Sequence, residues 1–365
     1  MDFGLSEEQR LLEETTRSWL ASRMPIEEVR ARRAADRPND REFWRAFAEL
    51  GAAGILIPED RGGSGLTLLD AALVSQCLGH AVAPSPFLSS SVLAAVALGS
   101  LVPPQSTPAQ AWLSDIATGD LVFGVGFTEL FSVREEACVD VEAGRLVGKA
   151  MMTLDAWEAD RLLVALDSET LAVLPRAARG VETTRLRTTD ATRCTAEIVF
   201  DGAEPEWVFT GVGPAIERAL TAGRIALAAD TLGACEAMIE QAVRYAGQRR
   251  QFDRLIGSFQ AVKHMCAEMV ADLEPARSLL WYAAHAFDAL PEEAPLMACH
   301  VLAHVSEIGR EIASVSTQVH GGVGWTDEQN LHFWFKRISV ARHLLGGPEA
   351  LRARAASLQS FDVAS

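Results

Sequence analysis

Three arginines fall within six residues at Arg249-Arg250-Gln251-Phe252-Asp253-Arg254, followed at once by Ile256-Gly257-Ser258-Phe259-Gln260. Guanidinium forks match phosphate oxygens in geometry and charge, so such a stretch suits a phosphate or pyrophosphate. On its own it is more often a solvated surface turn. A second stretch, Gln318-Val319-His320-Gly321-Gly322-Val323-Gly324-Trp325, gives the first its weight. Its glycines permit positive φ and let backbone N–H groups approach a ligand, and the Gln318 amide can donate. It is not a P-loop, because no Gly-Lys-Ser/Thr follows, and it lacks the Gly-x-Gly-x-x-Gly spacing of a dinucleotide turn. His300 and His304 stand four apart, as zinc ligands often do, but with no Glu between them and no third ligand they read as partly buried helix histidines, and no metal is expected. Gly62-Gly63-Ser64-Gly65 lacks the spacing of a nucleophile elbow.

The background sharpens the arginines. The 365 residues carry 49 acidic against 33 basic side chains, a formal charge of -16, which disfavours nucleic acid and anionic lipid as partners. Apolar runs such as Val92 to Leu98 fall far short of the roughly 20 residues that cross a bilayer, and the start Met1-Asp2-Phe3-Gly4-Leu5 is unlike a signal peptide. A cytoplasmic protein with no membrane span is expected. Six scattered cysteines without a Cys-x-x-Cys pair point to reduced, buried thiols.

The elements that position these stretches change character twice. From Leu5 to about Leu101 the text is helical, opening on a capping box at Ser6 and Gln9. Pro58 to Gly65 and Pro84-Ser85-Pro86 punctuate it. Leu121 to Thr128, Leu162 to Leu166 and Thr195 to Phe200 are short, branched and bounded by turn residues, so Leu121 to about Thr210 reads as a β-unit. After Pro214 apolar residues recur at helical spacing in three long segments: Ile225, Leu232 and Ile239; Val262 through Phe287; and Val301 through Val319. Pro275 predicts a kink or break in the second. With a fourth helix near the C-terminus these form a four-helix bundle. The fold class is α+β: residues 1–118 helical, 119–212 a β-barrel or sandwich, 213–365 a helical bundle.

The order helical, β, helical, with Arg-x-x-Phe before Ile-Gly-x-Phe-Gln and then Gln-x-x-Gly-Gly-x-Gly, resembles the acyl-CoA dehydrogenase family of flavoproteins. Leu5 to Gln9, Glu49-Leu50-Gly51, Pro58-Glu59 with Gly62-Gly63 and Gly65-Leu66, Thr128-Glu129 and Thr195 to Phe200 resemble family text as well, over nearly the whole chain. The resemblance implies FAD as cofactor, an acyl-CoA substrate and an electron-accepting flavoprotein as partner. It assigns Arg249, Gln251, Phe252, Phe259 and Gln260, with Gln318, Gly321 and Gly322, to the FAD bound mainly by a neighbouring subunit, so a dimer or dimer of dimers is expected. It assigns Thr128 and Thr153 to the flavin of the chain's own pocket.

The resemblance fails where the chemistry needs a base. In the family a carboxylate removes the α-proton of the thioester while hydride leaves the β-carbon for the flavin. Counting from Lys336-Arg337, Gly346 stands at the usual glutamate. A minority of members carry the acid before an arginine on the first bundle helix, and there Gly223 precedes Arg224. The family's Gly-Ser-Asp is missing after Glu129, and Met151 replaces the aromatic beside the flavin. His320 to Thr326, Leu331-His332 and Lys336-Arg337 resemble bacterial members that work as unlike-subunit tetramers with one base-carrying subunit. The leading expectation is a subunit without the base that completes a partner's flavin site. The alternatives are a competent homomer using a non-standard acid, with Asp327, Glu328 or Asp230 as weak substitutes, and a non-redox scaffold. Asp327 and Glu328 read otherwise as solvated loop acids, and Asp230 as a helix-surface acid.

Overall fold

The structure is a computed structural model that describes residues 4–37, 39–101, 108–127, 130 and 137–361. Helix α1 (Glu7–Arg23) begins at the expected capping box: the Ser6 hydroxyl accepts from the Gln9 N–H at 3.1 Å, and the Gln9 side chain accepts from the Ser6 N–H at 3.0 Å. After α2 (Ile26–Ala34), α3 (Arg41–Ala48) starts where Asp40 accepts from the Glu42 and Phe43 N–H groups. Pro58 to Gly65 forms a loop with one short 3-10 turn at Glu59–Arg61 before α4 (Leu68–His80). Beyond Pro84-Ser85-Pro86 the chain enters a wholly buried π-helix, Phe87–Ala94, a form that concentrates at functional sites. It continues into α5 (Ala95–Gly99) and, further on, α6 (Ala109–Ala117).

The middle segment is β as expected. Its strands are β1 (Phe123–Gly126), β2 (Val139–Glu142), β3 (Arg145–Leu154), β4 (Arg161–Ala165), β5 (Thr170–Pro175), β6 (Val181–Leu186), β7 (Thr195–Ala203) and β8 (Trp207–Thr210). They form one sheet ordered β6-β7-β3-β1-β4-β5-β8, with β2 on β3. Every pairing is antiparallel except β1 with β4. Side chains alternate across it. Leu162 and Val164 enter the sheet's own apolar core with Leu146, Ile198 and Phe200, whereas Leu163 and Ala165 join Phe123 and Val125 in the core shared with the helices. A bulge in β3 between Ala150 and Thr153, where Met152 adopts φ 52°, re-aims the strand just before Thr153.

Helix α7 (Gly213–Ala246) is central, packed by α4, α8 (Gln260–Ala289), α9 (Ala294–His320) and α10 (Leu331–Ala341); α11 (Pro348–Leu358) lies on α9. The bundle is therefore present, with α4 and α11 added to it. The break expected at Pro275 does not occur: α8 runs through it. Both Pro275 and Ala271, whose carbonyl loses its partner, are exposed, so water can satisfy that carbonyl. Nor are all the thiols buried, since Cys138 is exposed and Cys266 half-buried.

Asp155 joins the N-terminal helices to the sheet. Its carboxyl, 6% exposed, accepts from the Ser89 hydroxyl of the π-helix at 2.7 Å and from the Asn39 amide at 3.2 Å. Burial pushes it up to about 6, against the lowering effect of those two bonds. The folded state thus holds this proton longer than the unfolded chain, and the stabilisation is full below the ordinary value of 3.8 and lost as pH rises through about 6. Asp155→Asn should raise the melting temperature by about 3 °C at neutral pH. In thermal scans across pH that gain should vanish toward pH 4; an equal gain at every pH contradicts this origin.

Candidate functional site

The two motif stretches meet at one end of the bundle. Tyr245, in the last turn of α7, stacks on His320, the last residue of α9, with ring centroids 4.6 Å apart. His320 is buried and its Nδ1–H donates to the Ser316 carbonyl at 2.8 Å; burial holds its pKa below the ordinary value, so the ring stays neutral. This stack, which nothing in the sequence signalled, sets the arginine stretch beside the glycine stretch.

From there β9 (Arg250–Gln251) and β10 (Arg254–Leu255) form a hairpin turning at Phe252 and Asp253, both at positive φ. The Arg254 guanidinium lies 3.8 Å over the Phe259 ring, and Phe252 meets that ring edge-on at 6.2 Å. Phe259 is therefore the platform on which the hairpin rests. Phe252 is 87% exposed, and Arg249, Gln251 and Gln260 are exposed beside it. Across the gap Gln318 is exposed at the end of α9, Gly321 adopts φ 65°, and open space surrounds both Gly321 and Gly322.

Thr153 lies elsewhere, on β3 opposite Ala196, fully buried with a hydroxyl that has no hydrogen-bond partner. Thr128 falls outside the described residues. Exposed cations, amides and open glycine backbone at the bundle end, and one orphaned buried hydroxyl at Thr153 in the sheet, are groups of the kind an FAD would engage.

The positions of the missing base line up with a cavity of about 270 Å³ that Arg224 and Gly346 both border. Arg224 is buried and donates from Nε to the Leu345 carbonyl at 3.2 Å, fixing the backbone just before Gly346. At Gly223 an added Cβ would stand 2.4 Å from Leu93 and 3.1 Å from Leu345, so two buried leucines occupy the direction a side chain would take.

None of the three substitute acids reaches this cavity. Asp230 is not a helix-surface acid: it is buried, accepting from Arg337 at 2.6 and 2.9 Å and from Arg193 at 2.6 Å. Burial pushes its carboxyl up, but the two guanidiniums outweigh that and hold it below the usual carboxylate range. Asp327 is exposed and ion-paired with Arg30 and Arg33, beside His332, whose ring burial pushes down to about 4 and so keeps neutral. Hydrogen bonds from Arg33 and Arg30 hold its carboxyl low. Glu328 is exposed on the same turn. His300 is half-buried as expected of a helix histidine, but His304 is exposed.

The structure thus joins a helical unit, a mixed sheet and a helical bundle with exposed arginines and glycines at one end. Residues 6–120 match the model for the acyl-CoA dehydrogenase N-terminal domain, and residues 211–357 the C-terminal domain. The chain belongs to the acyl-CoA dehydrogenase family, FAD-dependent oxidoreductases acting on acyl-CoA. It is 33% identical to acyl-CoA dehydrogenase IpdE2 of Mycobacterium tuberculosis over 95% of this chain and 96% of that protein. Among solved structures it resembles the ChsE4-ChsE5 complex of the same organism (TM-score 0.87, 27% identity, all of both chains). It also resembles a variant of the Tcur3481-Tcur3483 steroid ACAD (TM-score 0.86, 25% identity, 98% of this chain and 99% of the other). Among the described residues no helix is long and apolar enough to cross a membrane.

Removing one partner of a buried ion cluster strands the others. Asp230→Asn should therefore cost about 3–5 kcal/mol in chemical denaturation, while Asp327→Asn and Glu328→Gln should leave the denaturation midpoint close to that of wild type. Gly223→Glu should destabilise by about 1–3 kcal/mol through overpacking against Leu93. Dehydrogenation by the isolated Gly223→Glu chain would show that the leucines leave room for a base.

Proposed function

We propose that this chain is the subunit without the base in an unlike-subunit acyl-CoA dehydrogenase, and that it completes the flavin site of a partner chain carrying the glutamate. The observation that carries this reading is the contrast between its two ends. Around Gly223 and Gly346 the cavity holds no acid at either family position, and Leu93 and Leu345 fill the space at one of them. At the bundle end Arg249, Gln251, Phe252, Gln318, Gly321 and Gly322 are exposed and suited to a molecule bound by another chain.

Bound FAD would supply the two-electron acceptor for α,β-dehydrogenation. This chain's part is binding and orientation. Arg249 faces the phosphates as a cation, open N–H groups near Gly321 and Gly322 donate to anionic oxygen, and Phe252 covers the adjoining surface, with Phe259 and Gln260 supporting the hairpin. Thr153, and Thr128 with it, belong to the chain's own pocket, where the Thr153 hydroxyl would hydrogen-bond a flavin edge. Arg224 supports the Gly346 loop. The partner's carboxylate takes the α-proton, and electrons pass on to an electron-accepting flavoprotein. The description of ChsE4-ChsE5 as a complex supports unlike pairing. A cytoplasmic dimer or dimer of dimers follows from the same reading.

Co-expression with a paired homologue that carries the glutamate should give a stable, yellow complex with acyl-CoA turnover that neither chain has alone. Arg249→Ala should lower the flavin content of that complex, with a flavin affinity loss of roughly tenfold or more. Failure to form a complex, together with no gain in turnover, rejects the proposal.

A further inference from the structure

Both cofactor-facing stretches hang from helix ends, and each is tied to its own helix. The Tyr245 carbonyl, in the last turn of α7, accepts from the Gln248 N–H at 3.0 Å and from the Arg249 N–H at 2.8 Å. The Arg249 carbonyl accepts in turn from the Ile256 N–H at 2.8 Å, closing the base of the hairpin. The returning strand is seated on the same turn of α7, since a Cβ on Gly257 would lie 2.9 Å from the Ala246 carbonyl. On the facing side Gly321 follows His320 directly, its N–H reaching back to the Thr317 and Gln318 carbonyls. Gly324 packs on that turn too: a Cβ there would lie 2.8 Å from the Thr317 carbonyl and 2.9 Å from the His320 Cβ. One turn earlier α9 is fastened to α7 by Ser316, whose hydroxyl donates to the Met238 carbonyl at 2.9 Å. Above that bond the two ends meet through the Tyr245–His320 stack, with the rings 26° apart in plane. The His320 ring is itself held by its bond to the Ser316 carbonyl, and Tyr245 is half-buried against it.

We propose that Tyr245 and His320 are positioning residues for the cofactor: their stack sets the spacing between the Arg249 hairpin and the Gly321–Gly322 backbone, so that both reach one pyrophosphate together. An anion gripped from two sides is held tightly only if the two sides stand at the matching separation before it arrives, because ordering them on binding subtracts from affinity. A stacked aromatic pair suits this task, since its attraction depends on ring geometry as well as on buried area. The rings act through the backbones they anchor, Arg249 on one side and Gly321 on the other. The proposal rests on the reading that this chain completes a partner's flavin site.

The test uses the complex of this chain with its base-carrying partner, stripped of flavin and titrated with FAD by quenching of flavin fluorescence. Tyr245→Leu should weaken FAD binding roughly tenfold, whereas Tyr245→Phe, which keeps the ring, should stay within about twofold of wild type. His320→Leu should weaken it by a similar factor, and the double variant no further than either single one, because both remove the same contact. Single losses that multiply to about a hundredfold in the double variant show that the two side chains act separately, and overturn the proposal. So does a Tyr245→Leu complex that melts earlier yet binds FAD as tightly as wild type, the mark of packing alone. If the His320→Leu chain does not fold, the two Tyr245 variants decide: equal affinities overturn the proposal, and a loss with Leu that Phe restores upholds it. A wild-type pair that forms no complex, or a complex that takes up no FAD, defeats the underlying reading together with this one. A flavin-loaded complex indifferent to Tyr245→Leu defeats the positioning role alone.

Discussion

One buried carboxylate fixes how the parts of this molecule sit on one another. Asp230, midway along α7, is gripped by Arg337 of α10 through two nitrogens and by Arg193 from the connection between β6 and β7. Arg337 also donates to the Thr192 hydroxyl, which donates in turn to Asp190 at 2.6 Å. An isolated charge at that depth would be forbiddingly costly, and only the full set of partners makes it tolerable. The backbone of the same residue meets the N-terminal helices: a Cβ on Gly79 of α4 would lie 1.8 Å from the Asp230 carbonyl, and one on Gly233 would lie 1.9 Å from that of Gln76. Sheet, bundle and N-terminal helices are thereby locked to a single turn of α7.

That lock was illegible in the sequence for a physical reason. Helix α7 is covered from every side, so its apolar residues form no single stripe, and the seven-residue rhythm of Ile225, Leu232 and Ile239 describes only one of its buried faces. On that rhythm Asp230 falls where a surface acid belongs. Its partners stand 37 and 107 positions away, and no local pattern encodes them. What was legible is what short-range physics governs: the box at Ser6, the alternating strands, and the loops at Pro58 and Pro84. The motif stretches were legible as types of residue, but not as neighbours. The Tyr245–His320 stack joins them across two helix ends, and no spacing rule links those two aromatics.

The vacated base positions have a history visible in packing. Leu93 comes from the π-helix, whose wider turn carries its side chain to Gly223. The same π-helix is tied to the sheet by Ser89 on Asp155 and by Ser90, whose hydroxyl accepts from the Phe123 N–H at 3.2 Å. The segment that closes the space for a base is thus also a seam between helices and sheet. An acid restored at Gly223 would meet that leucine, which belongs to a segment the junction needs.

The charge balance supports an outward-facing role for the bundle end. With 49 acids to 33 bases, an arginine on this surface has carboxylates in excess to choose from, and Arg17, Arg30, Arg41, Arg185 and Arg342 have each found one. Among the described residues no ion pair is recorded for Arg249, Arg250 or Arg254; Arg254 spends its guanidinium on the Phe259 ring and Arg250 reaches only the Asp253 carbonyl. Three cations close together in a hairpin repel one another, and Asp253 at its tip, the one acid within it, makes no ion pair with any of them among the described residues. Their isolation is intelligible if the neutralising anion comes from outside the chain, and a cofactor's pyrophosphate held by a second subunit meets that condition. The hairpin's geometry agrees, since Phe252 and Asp253 at positive φ turn the chain at the exposed tip, leaving the Phe252 ring in solvent rather than packed onto the bundle.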